Sequence, residues 1–339
     1  MPAKVAVIIV NYNAGDYLKR CLECVLLQSF TDFEVILVDN ASQDGSINQL
    51  PQDTRLKLIR STTNLGFAAA NNVGALQTDA PWIACLNPDA FPAKDWLQQL
   101  MFATIRFPKI MMFGSTQINA NRPSELDGAG DVYHIFGIPY RGHYRWPLST
   151  LPATGETFAP CAAAALYNHE IFREAGGFDE SFFCYGEDVD LGFRFRWLGQ
   201  QAVQVREAVV YHVGSAIAGQ NSVFQTYYGV RNRIWTWLKN MPLLLMPISL
   251  PPLIIMHGLL GVKAVRLGHG LPFLKAIKDA LWGMEPVLQK RKLIQSSRKV
   301  SIFAIAKAIS WNILALKNRR SDIRVYPKPT ERKPFKPKY

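Results

Sequence analysis

An α/β fold with a mostly parallel sheet is predicted by three observations in the first hundred residues of this 339-residue chain. Short apolar runs alternate with stretches of helical spacing. The runs have strand length and the intervening stretches suit crossover helices. Each run also ends in a cluster of turn-forming polar residues. Residues 5–10 read as a buried strand, and 16–28 as a helix with apolar positions at Leu18, Cys21, Leu22 and Val25. Residues 34–38 read as the second strand, followed by a helix near 43–50. The third strand is 56–59, the Ala/Asn-rich stretch 66–77 is a helix, and 82–86 is the fourth strand. Strand, helix, strand at this spacing implies βαβ units.

The segments that follow the strands point to a site. They are Asn11-Tyr12-Asn13, Asp39-Asn40-Ala41-Ser42, Asn64-Leu65-Gly66-Phe67 and Asn87-Pro88-Asp89. In an open parallel sheet such loops share the edge formed by the carboxyl ends of the strands, where ligands bind. One such loop is ordinary turn chemistry; four on one edge make a site. Neither G-x-x-x-x-G-K-[S/T] nor G-x-G-x-x-G follows the first strand, which excludes a P-loop and a dinucleotide fingerprint. A carboxylate such as Asp39 can accept from a pyrimidine N–H or a ribose hydroxyl.

Bulk properties narrow the class. The chain is 49% hydrophobic, enough for a sizeable core. Its net charge of +12 is unevenly spread: residues 263–339 carry 19 Lys+Arg against 4 Asp+Glu, leaving the rest net negative. Such a basic quarter attracts anionic head groups. The run after Lys4 is too short for a secretory core. Five cysteines argue against a disulfide framework, and the Cys21/Cys24 pair lacks a second pair to complete a zinc site. Both signs fit a reduced, cytosolic compartment.

Seven motifs occur in order over the first 235 residues: V-I-I-V-N-Y-N (7–13), V-D-N-A-S-Q-D-G-S (38–46), N-L-G-F-A-A-A-N-N-V-G (64–74), N-P-D-A (87–90), G-G-F-D-E-S-F-F (176–183), G-E-D-V-D-L-G-F-R (186–194) and Y-Y-G-V-R-N-R (227–233). In this ordered combination the chain resembles glycosyltransferase family 2, with the GT-A fold, and within it the rhamnosyltransferase-like branch. The resemblance implies a nucleoside-diphosphate sugar donor lined by Asn11, Asn13, Asp39, Asn64, Gly66, Asn87 and Asp89. Arg231 and Arg233 are candidates for phosphate oxygens or for plain helix-surface charges. Asp89 falls on the last position of the family's D-x-D metal motif, with Asn87 in place of the first carboxylate. His212, after the apolar run 208–211, is the second expected ligand of a Mg²⁺ or Mn²⁺ ion.

By the same resemblance Asp188 is the catalytic base, with Glu187 and Asp190 beside it on the acceptor side. An inverting transfer needs one carboxylate to take the acceptor hydroxyl's proton, while the diphosphate leaves unprotonated. Acidic residues at a helix start are also favoured by its dipole. The small-residue stretch 155–166 resembles the segment lining the donor sugar and acceptor, and 127–130 reads as a loop near the sugar. The Q-x-x-R-W motif of processive members is missing, which favours single-sugar addition, with dTDP-rhamnose as the donor by resemblance.

The expected organisation is a catalytic domain over 1–238, divided into a nucleotide-sugar half (1–115) and an acceptor half (116–238). A helical, membrane-associating region over 239–325 and a disordered basic tail over 326–339 follow. Residues 240–262 contain no Asp, Glu, Lys or Arg, but Pro242, Pro247, Pro251 and Pro252 argue against one straight spanning helix. An interfacial segment is expected there, and an amphipathic basic helix over 299–320. The expected setting is the cytoplasmic face of the cell membrane, peripheral or monotopic, with a glycan or lipid-linked glycan as acceptor. Homo-oligomers stay open. A sugar nucleotidyltransferase would need a basic triphosphate loop after the first strand, which is missing. A nucleic-acid partner would need aromatics interleaved with the basic tail, and none is expected. A non-catalytic sugar-nucleotide binder is the remaining alternative, kept by Asn87 and opposed by Asp89, Asp188 and His212 together.

Overall fold

The computed structural model describes residues 2–214, 219 and 222–326. The first half follows the βαβ pattern: β1 (Val5–Asn11), α1 (Asp16–Leu26), β2 (Phe33–Asp39), β3 (Leu56–Arg60), α2 (Gly66–Ala75), β4 (Trp82–Leu86), β5 (Ala90–Pro92) and α3 (Trp96–Arg106). The helix expected near 43–50 is instead a single 3-10 turn at Ser46–Gln49, entered through Gly45 in the left-handed region at φ 77°. The second half adds β6 (Met112–Asn119), β7 (Leu126–Gly128), β8 (Asp131–His134), β9 (Ile138–Arg141), β10 (Gly155–Thr157), β11 (Ala164–Asn168), α4 (His169–Glu174), α5 (Glu187–Trp197), β12 (Ala202–His212) and α6 (Val223–Asn240).

The main sheet runs β10-β12-β6-β11-β4-β1-β2-β3. β3, β2, β1 and β4 are mutually parallel, β11 runs against both β4 and β6, and β12 is parallel to β6. Alternation along β1 explains the layers. Val5, Val7 and Ile9 pack with Leu18 and Leu22 of α1 and Leu97 and Leu100 of α3. Ala6, Ile8 and Val10 pack on the other face with Ala68 and Ala70 of α2 and Leu191 and Phe195 of α5. Asn11 and Asp39 are register partners at the ends of β1 and β2, so the first two polar loops share one edge.

Beyond α6 lie α7 (Met246–Arg266), α8 (Gly270–Trp282), α9 (Met284–Ser296), α10 (Ile302–Ala308) and α11 (Ile313–Asn318). Two expectations about helix continuity are corrected here. Residues 240–262 feed a 21-residue helix that contains Pro251 and Pro252. Pro247 sits in its first turn, where no N–H partner is lost, and residues 253–266 carry the helix on without another proline. The stretch Leu243–Arg266 is long and apolar enough to cross a membrane. The single basic helix over 299–320 is instead the short pair α10 and α11. The chain turns between them so that Ile305, Ala308 and Ile309 enter a core with Tyr133, Trp197 and Trp237. Backbone bonds from Ser310 to Tyr133 and from Ile135 to Ser310 fasten this return. Of the expected tail, only Tyr326 lies within the described residues, its ring 5.3 Å from that of Phe107.

Candidate active site

The edge at the carboxyl ends of β1, β2 and β3, the expected donor edge, is a web of amides and hydroxyls. Asn11 donates through Nδ2 to Asp39 at 3.1 Å and to the Ser42 and Ser46 hydroxyls at 2.9 Å each. Asn13, at φ 52°, accepts from the Gln43 N–H and fixes the loop after β2. Asn64 accepts from Asn40 and from the Gly66 N–H, both at 2.9 Å. Gly66 has φ 81°, and a Cβ there would stand 2.5 Å from the Phe183 ring. The α2 N-terminus therefore closes directly onto the loop before α5.

The fourth loop meets the far side of the sheet. β5 pairs antiparallel with β12 and sets Ala90 opposite His212. His212 Nε2 lies 3.2 Å from Asp89, and Nδ1 lies 2.7 Å from Asp127. Burial pulls the imidazole's pKa down, but Asp89 and Asp127 outweigh it and raise it to about 9. Burial pushes Asp127 up, but Arg141 and His212 more than offset it and hold the carboxyl at about 2. The groups present fit a divalent cation: a carboxylate and an imidazole nitrogen converge, and a second carboxylate orients the imidazole from behind. The buried Asn87 Oδ1, on the same loop, has no hydrogen-bond partner. Binding there would require His212 to release its proton.

A cleft of about 350 Å³ opens beside this edge, lined among others by Asn87, Asp131, Arg141, Glu187, Asp188 and Arg233. The first turn of α5 lines it. The helix is buried on nearly every side, and a Cβ on Gly192 would meet the Ala159 Cβ at 2.5 Å. Asp188 sits in its first turn, half-buried, accepting from the Ala162 N–H at 3.2 Å and the Val189 N–H at 2.8 Å. Burial raises its pKa, and these N–H donors hold the rise in check. Glu187 is fully enclosed, and burial followed by the Asp188 charge holds its carboxyl well above the usual range.

Asp131, which the sequence reading passed over, faces the same hollow. Ligating atoms of Asp131, Cys161 and Asp188 lie within 4.8 Å of one another. Burial pushes the Cys161 thiol up to about 12, so it stays protonated. Burial and the Asp188 charge also raise Asp131 well above the carboxylate range. The trio thus gathers two carboxyl groups of raised pKa and a protonated thiol in one hollow. The signal available in sequence was the pair Asp127 and Asp131 bracketing Gly128-Ala129-Gly130. Asp127 reaches His212, and Asp131 reaches Asp188.

The remaining candidates divide by their contacts. Arg231 stands apart from the donor edge. Its guanidinium lies 4.2 Å from the Trp235 ring centre and donates to the Ser181 and Phe182 carbonyls. Asn232, also unforeseen, donates to the carbonyls of Phe182, Cys184 and Tyr185. That loop holds Phe183 at φ 64° and Tyr185 at φ 71°, conformations that need outside support in non-glycine residues. Arg231 and Asn232 thus fix the turn that presents Asp188. Asp190 is fully buried and binds Arg194 at 2.9 Å, Lys239 at 2.8 Å and Asn240 at 2.7 Å, tying α5 to α6. Its place is structural support behind Asp188.

Comparisons with known proteins point one way. The family model for glycosyl transferase family 2 matches residues 6–175. Over 234 residues the chain is 28% identical to the N-acetylglucosaminyl-diphospho-decaprenol L-rhamnosyltransferase of Mycobacterium tuberculosis, covering 61% of this chain and 75% of that protein. Among solved structures, the mannosyltransferase PcManGT from Pyrobaculum calidifontis, in complex with GDP-Man and Mn²⁺, superposes with a TM-score of 0.54 at 15% identity. That match covers 91% of this chain and 87% of the other. GalNAc-T7 with UDP, GalNAc and Mn²⁺ gives a TM-score of 0.57 at 17% identity, over 70% of this chain and 48% of that one. At these identities the structural likeness is one of fold.

Proposed function

The chain belongs to glycosyl transferase family 2, and from that premise we propose that it moves one sugar, with inversion, from a nucleoside-diphosphate donor to a lipid-linked glycan. It is a glycosyltransferase, and its fold is GT-A. In the proposed reaction Asp188 takes the proton of an acceptor hydroxyl. That oxygen attacks the anomeric carbon, the bond from that carbon to the diphosphate oxygen breaks, and the nucleoside diphosphate departs with the bonding electrons. The observation that carries this reading is the Asp188 carboxylate: it lines the cleft, is held by two backbone N–H groups and has its basicity raised by burial. Asp131 would tune that basicity. Asn11, Asn13, Asp39, Asn64, Gly66 and Asn87 would shape the donor edge, with Asp39 receiving the base or ribose.

A Mg²⁺ or Mn²⁺ ion held by Asp89 and His212 would neutralise the charge growing on the diphosphate. dTDP-rhamnose is the favoured donor: the Mycobacterium relative, a rhamnosyltransferase, supports the sugar, and the nucleotide rests on the family resemblance. That relative, named for transfer to N-acetylglucosaminyl-diphospho-decaprenol, also supports a polyprenyl diphosphate-linked acceptor. The expected membrane contact is supported by exposed apolar side chains, including Ile254, Ile255 and Leu259 on α7 and Leu271, Leu274 and Trp282 on α8. Lys263, Arg266 and Lys278 accompany them, as a surface facing anionic lipid would require. We place this face on the cytoplasmic leaflet.

The test is a donor panel. Purified protein is incubated with UDP-, dTDP- and GDP-sugars, Mg²⁺ or Mn²⁺ and a membrane lipid extract, beside Asp188→Asn. Release of nucleoside diphosphate from one donor, lost in the variant and in chelator, is the expected result. Release that survives Asp188→Asn would remove the base assignment; release that survives chelation would remove the metal.

A further inference from the structure

The cleft that Asp188 lines also carries a cation that the mechanism above does not use. Gln225, Gly229, Asn232, Arg233 and Thr236 line the cleft from one face of α6. Arg231 and Asn232 are tied to the loop before α5, and Arg141 is paired with Asp127. Arg233 differs: its Nε and Nη1 are buried without a hydrogen-bond partner. Nearby, the Tyr133 hydroxyl is likewise buried and unpartnered. Arg319, at the end of α11, lines the same cleft. Burial and then the Arg319 charge lower the Arg233 guanidinium to about 10.

Leaving a guanidinium under-bonded beside a second cation is costly in the free protein. The arrangement becomes favourable when an anion enters, because planar guanidinium groups bind phosphate oxygens in pairs. The position of this anion site matters. Asp89 and His212 mark the donor side, whereas Arg233 stands on the helix that leads through Asn240 into the apolar α7. An amphiphile with a phosphorylated head would meet cationic donors and an apolar helix in succession.

We propose that Arg233, assisted by Arg319, binds the phosphate or diphosphate that joins the acceptor sugar to its lipid. This rests on the reading of the chain as a transferase acting on a lipid-linked acceptor. The same chemistry could come from the donor's diphosphate, so the experiment separates the two sources.

Two acceptors are compared, with dTDP-rhamnose as donor: N-acetylglucosamine joined to an undecyl chain through a diphosphate, and undecyl N-acetylglucosaminide without one. The enzymes are the wild type, Arg233→Met, Arg233→Lys and Arg319→Met. In Arg233→Met, the ratio of kcat/KM for the diphosphate acceptor over the plain glycoside should fall about 30-fold, the loss of a charge-assisted contact. Arg233→Lys should recover part of it, and Arg319→Met should lose less. An equal fall with both acceptors would overturn the proposal. In parallel, undecyl diphosphate is titrated into protein saturated with dTDP and Mn²⁺. Weaker binding to Arg233→Met is expected, and unchanged binding, or weakening of dTDP instead, overturns it. If the wild type transfers to neither acceptor, the functional reading fails, while this titration still decides the anion site. Melting temperature guards against misfolding: Arg233→Met should melt no lower than the wild type, whereas a structural arginine would lower it.

Discussion

At the donor edge, Asn11, Asn13, Asn40 and Asn64 are bonded to one another's loops, and the Asn11 Nδ2 alone reaches Asp39, Ser42 and Ser46. Across the cleft, Glu187 keeps a buried carboxyl oxygen without a partner, Arg233 keeps two such nitrogens, and Asp131 and Asp188 crowd one hollow. The donor edge is not perfectly satisfied either, since Asn11 Oδ1 is also unpartnered. Yet the contrast holds in charge: the edge at the strand ends leaves neutral amide oxygens open, those of Asn11 and Asn87, whereas the wall carried by α5 and α6 leaves ionisable groups open. Neutral amide webs hold loops in register at low cost. Buried ionisable groups raise the energy of the free protein and give a ligand or a proton something to relieve.

Breaking the acceptor wall at its chemical centre should have the largest effect. Asp188→Asn keeps an acceptor for only one of the Ala162 and Val189 N–H groups, which bind different carboxylate oxygens, and removes the proton sink. Transfer should fall about 10²–10⁴-fold, with the circular dichroism spectrum retained and stability lowered by no more than one lost hydrogen bond, about 1–3 kcal/mol. A similar loss accompanied by unfolding would mean that Asp188 is merely a helix cap. Next in size is the support behind it. Asp190→Ala leaves Lys239 with Asp179 alone and Arg194 with only the Ala175 and Gly177 carbonyls, and removing one partner of a buried ion pair costs up to about 3–5 kcal/mol. Urea denaturation should register this even where activity assays cannot. Asn232→Ala should cost less, about 1–3 kcal/mol for the freed carbonyls. Its signature is a lower kcat, because the loop holding Phe183 and Tyr185 in left-handed conformations loses its clamp.

These contrasts also explain what was legible in the sequence. The donor edge announces itself because strand periodicity fixes where loops fall, and Asn, Asp and Gly then appear at the same end of each strand. β1 to β4 and the partnership of Asn11 with Asp39 follow from that logic. The acceptor wall depends on long-range pairing that no local pattern encodes. Asp127 comes to His212 only because β7 and β12 both flank β6. Arg231 looked like a phosphate ligand because charge is visible in sequence, whereas its aromatic cage of Tyr227, Tyr228 and Trp235 and its carbonyl partners are not. The helix through Pro251 and Pro252 shows local propensity yielding to the apolar run that follows.

The smallest effect sharpens the comparison most, because it isolates one charge. Glu187 has its folded-state pKa raised, first by burial and then by Asp188. A carboxyl raised in this way contributes stability that is fully present below its unfolded value, about 4.3, and lost as pH climbs through the folded value. Glu187→Gln keeps the shape and cannot ionise. The variant should match the wild type in acid and then become the more stable of the two as pH rises, with the gap levelling off above the folded pKa. Asp131 and Asp188 are raised too, so both proteins should retain some slope, and the difference between their melting curves belongs to Glu187. A control at the donor edge, Asn64→Asp, adds a charge where Asn40 and the Gly66 N–H already donate. Its pH dependence should run the opposite way, gaining stability as the new carboxylate ionises. If both variants moved in the same direction with pH, the two walls would not differ in the way their hydrogen bonds imply.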